Sequence, residues 1–85
     1  MEFLFTFPNV HYAIHSEKYL TAQQILVKVV PLPASLGDFC GVCLRINEAD
    51  LEKSYGLLTD EGVPVKTIFK IEKHAGERKY QKWTA

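Results

Sequence analysis

Apolar residues fall along the chain in short dense runs separated by stretches of wider spacing. The first run, FLFTF at residues 3–7, stops at Pro8-Asn9, a turn pair, and predicts a strand with Phe3, Phe5 and Phe7 facing the core. From residue 9 to 24 the spacing becomes helical. Val10, Ala13, Ile14, Glu17 and Leu20 share one side, His11, His15, Lys18 and Ala22 another, and Asn9 is placed to cap the N-terminus. Residues 25–33, ILVKVVPLP, are β-branched, end on prolines and predict a second strand. Residues 34–41 predict a loop, and GVCLRI at 41–46 a third strand. Its alternation sends Val42, Leu44 and Ile46 to the core and Cys43 and Arg45 to the other face. A second helix is predicted over 47–62, with Asn47 at the cap, Asp50 at the capping-box position, Leu51, Tyr55 and Leu58 at i, i+4, i+7, and Gly62 then Pro64 as its stop. The last run, VKTIFKI at 65–71, alternates between Val65, Thr67, Phe69 and Ile71 on one face and Lys66, Ile68 and Lys70 on the other.

The order is β-α-β-β-α-β. It predicts an α+β domain of ferredoxin-like arrangement over residues 1–71, a four-stranded antiparallel sheet with both helices on one face. Residues 72–85 read as a basic tail, frayed or a short helix, with Trp83 as a docking point. The other sheet face is left open, and on this phasing it carries Lys28, Arg45, Lys66 and Lys70 beside Leu26, Val30 and Ile68.

Length and charge narrow the classes. At 85 residues with no formal net charge, the chain is one domain whose bulk electrostatics call for neither nucleic acid nor membrane. The positive surplus of the tail (Lys73, Arg78, Lys79 and Lys82 against Glu72 and Glu77) is balanced by the body. Two cysteines do not make a disulfide scaffold. MEFLFTF lacks the basic start of a signal peptide, so the expected compartment is the cytoplasm, where thiols stay reduced. No acid–base pair or nucleophile triad is legible, so the chain is not read as an enzyme, and no metal or cofactor is expected.

The chemistry-bearing segment is PLPASLGDFCGVCLRI, residues 31–46, which holds both cysteines. The predicted topology brings the end of strand 1, the start of helix 1 and the strand 2–3 loop to one end of the sheet. Cys40 is then near a helix N-terminus, whose dipole and unpaired N–H groups favour a thiolate. Gly41 permits positive φ and leaves a neighbouring sulfur uncovered. His11 is close enough to act as acid, base or counter-charge. Were residues 40–43 fully extended, the two cysteine Cα atoms would be roughly 10 Å apart, beyond the ~7 Å a disulfide tolerates. A Cys40–Cys43 bridge therefore requires a turn at Gly41.

These elements resemble the small selenium/sulfur carrier protein-like domain family. The resemblance runs from about Phe3 to Ile71, through the apolar strand before HYAIHSEKYL with Ala13, Glu17 and Leu20, the PLP of residues 31–33, the Cys40-Gly41 and Leu44-Arg45 pairs, and LLTDEGV. The chain departs from the pattern at Ala34, where a basic residue is expected. The resemblance implies that Cys40 carries sulfur or selenium as a persulfide or selenopersulfide, that Gly41 opens access, that Arg45 and His11 stabilise negative charge, and that Cys43 releases cargo if the loop bends. It also implies donor and acceptor proteins as partners.

Plainer readings stand beside these. Cys40 can fill a corner of the core and Cys43 can be an ordinary strand residue. His11 and His15 with the two cysteines would complete a Cys₂His₂ metal set, or simply line a solvated helix face. An RNA-binding sheet would need exposed aromatics on its central strands. The half-apolar open face suits a homodimer or a docking module better.

Overall fold

The computed structural model describes residues 1–33 and 41–83. In order they form β1 (Glu2–Thr6), α1 (Val10–Ala22), β2 (Val27–Pro31), β3 (Val42–Asn47), a 3-10 turn (Glu48–Asp50), α2 (Leu51–Asp60), β4 (Thr67–His74) and β5 (Glu77–Lys82). The strands make one five-stranded sheet in the order β2-β3-β1-β4-β5, every pair antiparallel.

Both helices cover the same face. Phe3 and Phe5 from β1, Leu44 and Ile46 from β3 and Ile68 from β4 pack with Ala13 and Leu20 from α1 and Leu51 and Leu58 from α2. The Asn9 cap forms as the sequence suggests, its side chain accepting the Tyr12 N–H at 3.2 Å. The buried stripe of α1 is Ala13, Ser16 and Leu20, whereas Val10 and Ile14 are exposed. The capping box of the second helix does not form. Residues 48–50 take a 3-10 turn instead, and neither Asn47 nor Asp50 makes a side-chain cap bond. At the other end Gly62 adopts φ +81°, and the N–H groups of Gly62 and Val63 close back on Thr59 and Leu58, the left-handed stop expected there.

Two sequence expectations are corrected. The sheet has five strands, not four. Ala75 and Gly76 both take positive φ and join β4 to β5 as a two-residue hairpin turn with His74 opposite Glu77. The segment that reads as a frayed or helical tail is thus the edge of the sheet. Trp83 does dock: its backbone N–H donates to the Ile68 carbonyl at 2.8 Å, and its ring meets Phe3 edge-on with centroids 5.7 Å apart.

The second correction is the phase of β4. Ile68 lies opposite Phe5 and Lys70 opposite Phe3, so both face the helices, while Phe69 lies opposite Leu4. Phe69 and Ile71 therefore belong to the other face, where they form a second buried cluster with Leu4 and Cys43, flanked by Val30, Leu32 and Tyr80. The alternation in VKTIFKI fixes which residues travel together but not which set goes inward. Both sets carry apolar side chains, and β5 supplies cover for the second set.

Candidate functional site

β1 and β3 run in opposite directions, with Phe5 opposite Leu44 and Glu2 opposite Asn47. The start of β3 and the end of β1 therefore share one end of the sheet, and α1 begins four residues beyond β1. The end of β2 reaches the same place, since Pro31 pairs with Val42. The topology thus gathers the α1 N-terminus and both flanks of the 34–40 segment at one end, as the sequence predicts. Cys40, Ala34 and the rest of the predicted loop before Gly41 lie outside the described residues.

Gly41 is the nearest described neighbour of Cys40. Its φ is +86°, and a Cβ built on it would meet nothing within 4 Å among the described residues. The strand expected from residue 41 therefore starts at Val42, and the backbone turns at Gly41 instead of extending through it. The separation of the two cysteines itself lies outside the described residues. The Gly41 carbonyl accepts the Leu32 N–H at 3.1 Å, pinning the two flanks together.

Cys43 follows on the face away from the helices and is fully buried. Its thiol points to the carbonyls of Val30 and Pro31, with Sγ–O separations of 3.7 and 3.9 Å. In this conformation it packs beneath the second cluster and presents no surface to an incoming group. Arg45 is two residues on, on the same face, with its side chain 20% exposed. Its Nε lies 3.1 Å from Glu2 Oε2, an ion pair by distance that is not aligned as a hydrogen bond.

His11 is exposed in the first turn of α1. Nothing among the described residues joins it by hydrogen bond or ion pair to Gly41, Cys43 or Arg45. His15 turns elsewhere, with Nε2 3.0 Å from Glu61 Oε2 at the end of α2 and its ring stacked on Tyr19. The structure therefore places Cys43 and Arg45 on β3 with Gly41 immediately before it, and His11 at the same end of the fold but not in contact. Among the described residues no group of three or more histidine, cysteine or acidic side chains is placed to hold a metal.

Sequence reasoning missed what lies over the second cluster. A cavity of about 280 Å³ opens on the helix-free face, its lining including Leu4, Leu32, Ile71, Tyr80, Arg45 and Arg78. Arg78 and Tyr80 come from β5, and the only sequence signal for that strand is a pair of short turn-forming residues between two charged stretches.

The comparisons with known proteins add one match. A family model described as "Putative Se/S carrier protein-like" matches residues 2–70. No curated protein and no solved structure matches the chain.

Proposed function

Because the chain belongs to the Se/S carrier protein-like family, we propose that it holds a sulfur or selenium atom on Cys40, as a persulfide or selenopersulfide, for delivery to an acceptor. The observation that carries the reading is the family match, which spans the Cys40-Gly41 and Leu44-Arg45 pairs. Loading is an atom transfer without net oxidation. The Cys40 thiolate attacks the outer sulfur of a persulfide donor, a new S–S bond forms as the donor's breaks, and the donor leaves as a thiolate. Delivery repeats the exchange with the acceptor's thiolate as nucleophile and Cys40 as leaving group.

The local geometry suits this chemistry. The turn at Gly41 carries no side chain to shield its neighbour, and the dipole of α1 at the same end of the sheet favours an anionic sulfur. Arg45 and His11 supply positive charge in that region, His11 when protonated. Cys43 takes part only if the start of β3 lifts to expose it. In this reading β1–β4 and the two helices are a ferredoxin-like arrangement extended by β5, and the protein works in a reducing compartment.

The test is the intact mass of protein purified without air or reductant, incubated with a persulfide donor, then treated with a mild thiol reductant. The expected result is a gain of one sulfur or selenium atom that reductant removes and that Cys40→Ala abolishes while the protein stays folded. An unmodified mass after incubation would sink the reading. A loss of two hydrogens mapped to Cys40 and Cys43 would replace it with a redox pair.

A further inference from the structure

The helix-free face of the sheet concentrates positive charge in a chain whose net charge is zero. Directly opposed residues of a sheet share a face. Lys28 lies opposite Arg45 and Arg45 opposite Leu4, while Lys73 lies opposite Arg78 and Lys82 opposite Phe69. Among the described strand residues, five cations thus share this face with one carboxylate, Glu2, which already sits against Arg45. The compensating negative charge is on the other side of the molecule, where Glu48, Asp50, Glu52, Asp60 and Glu61 accompany Lys53 along and around α2. Arg78 is exposed and has no carboxylate partner among the described residues.

Charge is half of the observation, and the other half is the cavity. Leu4, Leu32, Ile71 and Tyr80 line it together with Arg45 and Arg78. About 280 Å³ accepts one medium-sized apolar side chain. The two arginines in its lining carry forked donors that match carboxylates. A nucleic-acid strand would need exposed aromatic platforms. Phe69 is buried and Tyr80 half-buried, so the face offers none.

We propose that this face docks an acidic protein segment, an apolar anchor side chain flanked by Asp or Glu, with the anchor in the cavity and the carboxylates on Arg45, Arg78 and Lys73. The inference rests on the carrier reading for its purpose: the segment belongs to the protein that gives or takes the cargo. Position supports this. Leu32 and Pro33, which line the cavity, lead directly into the 34–40 segment, and Leu32 is bonded to Gly41 on its other side. A partner seated here is held beside both flanks of the 34–40 segment, which carries Cys40 in the sequence.

The test measures binding of a fluorescein-labelled, end-blocked Glu-Asp-Glu-Leu-Asp-Glu-Glu peptide to the full chain in low salt. Micromolar-range affinity is expected, falling roughly tenfold in Arg78→Glu and again in Lys73→Glu. Replacing the central leucine of the peptide with glycine should weaken binding severalfold. Lys53→Glu makes the same charge change on α2 and should leave affinity within about twofold. No binding up to about 1 mM peptide, or an equal loss in Lys53→Glu, overturns the proposal. So does tighter binding of a short oligouridylate, which would give the face to nucleic acid. Loading of Arg78→Glu from a small persulfide is measured alongside. Peptide binding without any loading of Cys40 would sink the carrier reading and leave the docking surface, and loading without peptide binding would do the reverse.

Discussion

Gly41 holds φ +86° with open space among the described residues where a Cβ would go, so a side chain there meets no clash with them and only the backbone strain of the left-handed region. Gly41→Ala should therefore cost about 1 kcal/mol of stability, read as a lower urea midpoint with an unchanged slope. A loss near zero would mean that the turn relaxes easily. At this scale the sequence is legible where the signal is local: Asn9 caps α1 through its own side chain, and Gly62 ends α2 through its own backbone freedom. It is less legible where a residue depends on distant ones. Cys43 sits on the face its alternation predicts, but its complete burial comes from a cluster assembled from β1, β2, β4 and β5. The Asp50 capping box fails because a 3-10 turn occupies the positions it needs.

Among the elements, six come straight from hydrophobic periodicity. β5 does not, because Glu77–Lys82 reads ERKYQK and carries one half-buried side chain. Its place is set at one end by the Ala75-Gly76 turn and at the other by Trp83. That residue anchors the strand's end through its ring on Phe3 and its backbone N–H on Ile68. Trp83→Ala removes a partly buried indole ring that packs against the main core. Since truncating a buried aromatic costs about 3–5 kcal/mol and this one is only half-buried, a loss of roughly 2 kcal/mol is expected. Amide hydrogen exchange should rise selectively in residues 77–82. Uniform acceleration across all strands would mean that β5 is not a separable edge but part of the cooperative core. The wrong phase of β4 has the same origin as the missed strand. Without β5, Phe69 and Ile71 lose Tyr80 from their neighbours on the second face, and the pattern alone assigns them to the helices.

For the whole molecule, the separation of charge decides how copies of the chain meet. The sequence suggests a homodimer through an open face that pairs lysines with Ile68, but Ile68 lies beneath the helices. The face that is open instead carries Lys28, Arg45, Lys73, Arg78 and Lys82 against Glu2. Two such faces brought together repel, most strongly when the Debye length is long, about 30 Å at 0.01 M salt. Stacking the acidic α2 side of one copy on the basic face of the next is attractive, but it does not close and would give open chains that salt disperses. Sedimentation at roughly 0.01 M and 1 M salt separates these cases. A monomer at low salt is the expected result, with any self-association through the apolar cavity appearing only when salt screens the repulsion. Peptide docking on the same face should weaken over that range. Larger species at low salt that dissolve at high salt would identify head-to-tail stacking, and a dimer at low salt that Arg78→Glu disrupts would show that the face recognises its own kind rather than an acidic partner.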